Sequence, residues 1–275
     1  MSKISLVVSD VDGTLVTTDK VLTDRSRAAV ARLDAAGIGF SVISSRPPFG
    51  LRMLIEPLRL RLPIGAFNGA ALVAPDLTLI DQRELPVPVV RDSLARFRSL
   101  SIDVWLFTTD RWLVENANGP YVGKEIMTIH ADPTVVDDLL GHVDAVSKLV
   151  GVSDDFARLA GCEPVMRDAL GDSASVVRSQ RYYLDVTPAN TSKGAALAVL
   201  ARRLGVPTGE IVTLGDMEND VSMFRNSGFS IAMGNATDEV KRAASAVTRA
   251  NDEDGFAEAI ERIVLPRAQA CAGAA

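Results

Sequence analysis

A short stretch near the start of the chain, Ser5 to Val16 (SLVVSDVDGTLV), constrains the fold more than any other. Leu6-Val7-Val8 is a continuous apolar, largely β-branched run, the pattern of a parallel strand buried on both faces. It runs straight into two carboxylates, Asp10 and Asp12, with Gly13 and Thr14 behind them. In open α/β sheets ligands bind outside the carboxyl ends of the strands, so a buried strand ending in acids is a place for chemistry. Two like charges this close repel one another unless a cation lies between them.

The following residues supply the rest of such a sheet. Thr23 is placed to N-cap a helix running to about Ala36, with Gly37 as its stop. Ile38 to Ile43 reads as a second strand, ending in Ser44-Ser45-Arg46. Pro47-Pro48 open a helix to about Leu58, Pro63 to Phe67 is a third strand ending at Asn68-Gly69, and Ala71 to Ile80 reads as a hairpin. This alternation implies a parallel sheet. Gln82 to Val90, with Pro86 and Pro88, reads as a linker, and beyond it the pattern changes. Helices over Val89–Leu100, Val135–Leu140 and Asp154–Met166 interleave with strands over Ile102–Phe107, Trp112–Val114, Ala145–Val152, Ser175–Arg178 and Tyr182–Val186. Asn116 to Pro133 reads as loop and polar connection.

After Pro188 the first pattern resumes: a helix from Ser192 to Leu204, a strand from Ile211 to Leu214 ending at Gly215-Asp216, and alternating elements to a last helix at Leu265. The fold class is therefore α/β, a parallel-sheet core interrupted by an inserted α+β domain. The core is expected over residues 1–83 and 187–265, the insert over 84–186, and a non-periodic tail over 266–275.

Composition narrows the function classes. A formal net charge of −6, from 35 acidic and 29 basic residues, and the lack of a Lys/Arg run argue against a nucleic-acid partner. Cys162 and Cys271 have no Cys or His at metal-ligand spacing, so they read as a buried thiol and a tail thiol. His130 and His142 stand without partners and suit structural or surface roles, while Trp105 and Trp112 suit the insert's core or its domain-facing surface. The N-terminus lacks the long apolar core of a signal peptide and no stretch reaches membrane-spanning length, so the expected location is cytoplasmic, with no membrane partner.

Three core strands end in polar groups, Asp10/Asp12, Ser44/Ser45 and Asp216, and a helix begins near Lys193. In a parallel sheet these ends share one edge. Each has a use in phosphoryl transfer: a carboxylate nucleophile, a second acid to give and take protons, oxygen ligands for Mg²⁺, and an ammonium to balance phosphoryl charge. Asp216, Glu218, Asn219 and Asp220 crowd one helix start. Capping accounts for one or two acids there, worth about 0.5–2 kcal/mol. It does not account for an acid placed directly on the end of a buried strand.

These residues resemble the haloacid dehalogenase (HAD) superfamily of phosphotransferases, and its Cof-type phosphatases in particular. The resemblance rests on Asp10-Val11-Asp12-Gly13-Thr14-Leu15, on Ser44 in Ser44-Ser45-Arg46-Pro47, on Lys193 in Thr191-Ser192-Lys193-Gly194, and on Gly215-Asp216-Met217-Glu218-Asn219-Asp220, in that order. It implies a Rossmann-like core with an α/β cap. It also implies roles: Asp10 as nucleophile and metal ligand, Asp12 as proton donor and acceptor with its carbonyl on the metal, and Asp216 and Asp220 completing the metal site. Ser44 and Lys193 would hold the phosphate with help from the Val11 and Ser45 backbone and the Asn219 side chain, and Asn190 and Asn68 are candidates for touching substrate. The family usually has Thr-Gly-Arg where this chain has Ser44-Ser45-Arg46, which keeps a hydroxyl but loses the freedom of glycine. An acid at position 12, where transport members carry Thr, favours hydrolysis.

The expected activity is a Mg²⁺-dependent phosphatase acting on a small phosphorylated metabolite such as a sugar phosphate, as a monomer or homodimer. A phosphomutase of the same superfamily and a catalytically silent binding protein are the alternatives. Specificity is expected from the insert's surface facing Asp10, within Asn116–Thr128 or near Arg181-Tyr182-Tyr183.

Overall fold

A computed structural model describes residues 3–272. From the N-terminus come β1 (Leu6–Ser9), α1 (Asp24–Ala35), β2 (Gly39–Val42), the short α2 (Arg52–Ile55), β3 (Ile64–Ala66), β4 (Ala71–Val73) and β5 (Leu79–Gln82). The middle of the chain forms α3 (Val87–Ser99), β6 (Asp103–Phe107), β7 (Trp112–Val114), α4 (Val122–Ile129), β8 (Thr134–Val135), β9 (Lys148–Val152), α5 (Phe156–Leu170), β10 (Ala174–Gln180) and β11 (Tyr183–Pro188). The last part forms α6 (Lys193–Leu204), β12 (Ile211–Gly215), α7 (Val221–Phe224), β13 (Phe229–Ala232), α8 (Asp238–Ala243), β14 (Ala246–Val247), α9 (Gly255–Ala259) and α10 (Leu265–Ala272).

The five-stranded sheet runs β14-β13-β12-β1-β2 and is parallel throughout. β1 lies beside β12, pairing Leu6 with Ile211 through Ser9 with Leu214, although some two hundred residues separate them in sequence. Thr23 caps α1 by accepting the Ser26 N–H, and Gly37 follows with φ +71°. β3 does not join this sheet as a full strand. A single parallel bridge, Ile43 to Gly65, links it to the end of β2, and it otherwise forms an antiparallel three-stranded sheet with β4 and β5.

The six-stranded sheet, β10-β11-β9-β6-β7-β8, is antiparallel except where β7 meets β8. Its strands alternate between two apolar clusters, as period-two side chains must. Leu106, Leu113, Leu149, Leu184 and Val186 pack under α3 and α5 with Phe97, Leu159 and Met166. Trp105, Phe107, Trp112, Val114, Val150 and Val152 face the other way and join one cluster with Val7, Leu51 and Phe67 of the core. α4 lies in this seam: a Cβ on Gly50 would come 3.0 Å from Ile129.

Several boundaries differ from the sequence reading for local reasons. The helix expected from Pro47 to Leu58 shortens to a 3₁₀ turn and α2, because Gly50 and Pro57 are poor helix residues. The linker is shorter than expected, since Pro86 precedes α3 and Pro88 sits in its first turn, where proline is tolerated. α4 occupies part of the expected polar connection, with buried Val122, Glu125 and Ile129 at helical spacing. The expected helix at Val135–Leu140 is instead β8 and a 3₁₀ turn at Leu139–His142. The tail expected from 266 is helical to Ala272. Buried Leu265 and part-buried Ala268 anchor α10 on the core, and a π turn at Ile260–Val264 precedes Pro266. Cys162 is buried, and the Cys271 side chain lies outside the described residues. No helix among the described residues is long and apolar enough to cross a membrane.

Gly151, in the central strand β9, leaves room for Phe97: a Cβ there would sit 2.4 Å from the ring. Gly151→Ala is expected to cost about 1–3 kcal/mol through overpacking, measured as a lower midpoint in urea unfolding.

Candidate active site

The carboxyl ends of β1 and β12 lie side by side, and the acids that follow them meet. Asp10 continues the ladder, its N–H donating to Leu214 O at 2.9 Å. The chain then turns back: the N–H groups of Thr14, Leu15 and Val16 converge on the Val11 carbonyl at 3.4, 3.0 and 3.1 Å. Gly13 permits this turn twice over. Its φ is +82°, and a Cβ there would lie 2.4 Å from Asp216 Oδ2. After β12, Asp220 Oδ2 accepts the N–H groups of Asp216 and Met217, each at 2.9 Å, and so wraps the loop. Gly215 makes that possible, since a Cβ would meet Asp220 at 2.4 Å.

Lys193 begins α6, behind an N-cap in which Ser192 accepts the Ala195 N–H at 3.1 Å. A cation at a helix N-terminus opposes the macrodipole and needs counter-charge. Its Nζ lies 2.5 Å from Asp10 Oδ1 and 2.6 Å from Asp220 Oδ1. Asp10, Asp216 and Asp220 are all buried, with one oxygen from each within 4.8 Å of the others. Thr14 and Asn235 hold the Asp216 carboxylate at 3.1 and 3.2 Å. Burial raises the Asp10 carboxyl to about 7, with Lys193 opposing and Asp220 adding. Burial, then Asp10 and Asp220, push Asp216 well above the usual carboxylate range. With all three ionised, three carboxylates against one ammonium would leave a net charge of −2 out of water, which is why burial favours protons or a cation there. An all-oxygen donor set with that deficit fits a hard divalent cation.

The Asp12 carboxylate is not in this cluster. It points to Arg46, which donates from Nε and Nη2 at 2.8 Å each, and to Lys20 at 2.8 Å. Burial would raise its pKa, but Arg46 and then Lys20 hold it well below the carboxylate range. Ser44 is fully buried at the end of β2, its Oγ accepting the Arg46 N–H at 3.2 Å. Asn219 donates its Nδ2 to Asn68 Oδ1 at 3.1 Å, and Ser45 offers its carbonyl to Lys148 at 3.0 Å. Asn190 is not drawn in: it is exposed, its carbonyl accepting from Arg83 at 3.4 Å beside β4 and α6.

A narrow groove opens from Asp12 between core and insert, lined by Lys20, Arg46, Lys124, Glu125 and Tyr182. Its far wall is ordered by the Tyr183 hydroxyl donating to Glu125 at 2.9 Å and by stacking of Tyr121 on Tyr182, centroids 4.2 Å apart. Burial raises the Glu125 carboxyl despite Lys148. The wall falls within the two stretches expected to face Asp10. Sequence reasoning missed Arg46, Lys20, Lys148 and Asp185 as site residues. Arg46 was legible as the third polar residue after β2, whereas Lys20 carried no signal.

Comparison with known proteins agrees with this geometry. The chain matches the haloacid dehalogenase-like hydrolase family over residues 7–260. It is 27% identical to the 5-amino-6-(5-phospho-D-ribitylamino)uracil phosphatase YwtE of Bacillus subtilis (strain 168), over 94% of this chain and 97% of the relative. Among solved structures it resembles a haloacid dehalogenase-like hydrolase from Bacteroides thetaiotaomicron with a TM-score of 0.85 at 32% identity, covering 95% of this chain and 100% of the other. A phosphatase of the same superfamily from that organism gives a TM-score of 0.78 at 26% identity, with 94% of each chain covered. With a match that runs from β1 through α9 and acids gathered at its strand ends, the chain belongs to the haloacid dehalogenase-like hydrolase family, as a hydrolase of the phosphatase type.

Proposed function

We propose that the protein is a Mg²⁺-dependent phosphatase that cleaves the phosphate monoester of a small hydroxylated metabolite, a sugar or sugar-alcohol phosphate, through a phosphoryl-Asp10 intermediate. The observation that carries this reading is the buried Asp10–Asp216–Asp220 cluster bridged by Lys193. Asp10, Asp216 and Asp220, with the Asp12 carbonyl, would hold Mg²⁺, which supplies positive charge against the phosphoryl oxygens and keeps the acids ionised.

In the first step an Asp10 oxygen attacks phosphorus and the bond to the ester oxygen breaks. The leaving oxygen takes a proton that Asp12, ionised at rest, relays from the phosphate hydroxyl of the monoanionic ester. In the second, Asp12 takes a proton from water, whose oxygen attacks phosphorus and releases Asp10 and inorganic phosphate. Held ionised by Arg46 and Lys20, Asp12 stands in the state the second step needs. Lys193 and Ser44 would balance and position the phosphoryl group. The named substrate of the Bacillus subtilis relative carries a phosphorylated ribityl chain. The groove beside Asp12, with Glu125, Lys124 and Tyr182, offers donors and acceptors that suit such hydroxyls.

Asp10→Asn is expected to fold, with a melting temperature near wild type, and to lose kcat on p-nitrophenyl phosphate by at least about a thousandfold. Retained turnover would sink the assignment, and a panel of sugar and sugar-alcohol phosphates would rank the substrate class. Magnesium should also stabilise the protein in a pH-dependent way. The folded-state pKa of Asp10 lies above its ordinary 3.8, so without the cation this group costs the fold increasing stability as pH rises towards about 7. Saturating Mg²⁺ is expected to raise the melting temperature by on the order of 5 °C at pH 8 and by less than half of that at pH 5, where protons compete. Equal increments at both pH values would contradict a site built from these acids.

A further inference from the structure

Two charged side chains of the inserted sheet reach into the core, one ending on Ser45, which the functional reading gives to phosphate, and the other on Asn68, which touches Asn219 of that reading. Lys148 opens β9 and Asp185 sits in β11 opposite Val150. Alternation turns them to the core-facing side, away from Leu149, Leu184 and Val186. Both are buried, at 5% and 1% exposure. Lys148 Nζ donates to the Ser45 carbonyl at 3.0 Å and lies 3.3 Å from Asp185 Oδ2. The same Asp185 oxygen accepts Asn68 Nδ2 at 3.1 Å, and Asn68 Oδ1 accepts Asn219 Nδ2 at 3.1 Å. An unbroken polar chain therefore runs from Ser45 through Lys148, Asp185 and Asn68 to Asn219.

Chemistry fixes the direction of this chain. A carboxylate opposite an ammonium accepts and cannot donate. Asn68 must therefore turn its NH₂ towards Asp185 and its oxygen towards Asn219. Asn219 must in turn direct its NH₂ at Asn68, which leaves its second N–H free to donate and its oxygen buried without a partner. Reversing either amide would set oxygen against oxygen. The backbone also holds the middle link: Asn68 has φ +56°, a conformation asparagine tolerates, and its N–H donates to Ser44 O at 2.9 Å. An apolar pair would seal this seam at less cost than a buried ion pair with an orphan Asp185 Oδ1.

We propose that Asp185 is a positioning residue. With the insert seated, it sets the Asn219 amide through Asn68, while its partner Lys148 fixes the Ser45–Arg46 peptide, so the phosphate cradle is complete only when the insert is docked. This rests on the reading that Asn219 and Ser45 face the phosphate.

The test compares wild type with Asp185→Asn, Asn68→Gly and the double variant, using p-nitrophenyl phosphate as substrate and inorganic phosphate as competitive inhibitor. Glycine keeps the left-handed backbone at 68 while cutting the chain. Asp185→Asn is expected to raise KM and the phosphate Ki together by about tenfold or more, with kcat changed far less. Asn68→Gly should do the same, and the double variant should be no worse than Asn68→Gly alone. Should Asp185→Asn fail to fold, Asn68→Gly and Asn219→Ala should be similarly non-additive in phosphate Ki. Unchanged phosphate Ki at an unchanged melting temperature, or additive effects, would overturn the proposal and leave the phosphatase reading standing. A wild-type protein that neither hydrolyses the ester nor binds phosphate would overturn both.

Discussion

One buried ammonium organises the acidic edge of the core sheet. Lys193 ties Asp10, at the end of the first strand, to Asp220, which closes the loop after β12. Burying so many ionised groups is unfavourable unless each is paired and further hydrogen-bonded. The chain meets that requirement with short-range devices. Gly13 and Gly215 let the two loops approach within a Cβ radius of the acids they present. Gly194 lets the start of α6 lie against Ser222, where a Cβ would sit 2.3 Å from the carbonyl. The geometry of the acids is thus set by glycine backbones as much as by the acids themselves.

The two acids that follow β1 are kept electrostatically apart. Asp10 and Asp216 share a region where burial and mutual repulsion favour protons or a cation. Asp12, only two residues on, is turned away to a guanidinium and a second ammonium. Two carboxylates two residues apart thus differ in protonation because their surroundings differ, Asp10 being buried among acids and Asp12 paired with cations.

Much of this was legible in the sequence because local patterns carry it. The buried strand running into Asp10 and Asp12, the cap at Thr23, the helix starting near Lys193 and the strand ending at Asp216 are contiguous signals, and all appear in the fold. What escaped was non-local. β3 reads as a core strand, yet its ladder partner is β4, a pairing set by the hairpin rather than by its own residues. α4 hid in a polar stretch because its apolar face is narrow and is completed by the core. Lys148 and Asp185 sit in strands that read as apolar. Their shared face was visible in the alternation of Tyr183-Leu184-Asp185-Val186, but what that face meets depends on how two separately wound sheets come together.

That meeting has a bearing on how the molecule moves. A single apolar cluster contains Val7, Leu51 and Phe67 from one side and Trp105, Phe107 and Trp112 from the other. Each aromatic ring keeps about 150–250 Å² from water, at about 25 cal/mol per Å². Across the seam Phe67 meets Phe107 with ring centroids 6.1 Å apart, so parting it would cost part of such contributions, and each 1.4 kcal/mol or so is a factor of ten in population. Were a substrate of the proposed kind to enter past Asp12 by parting the two sheets, it would have to recover that cost from its own contacts.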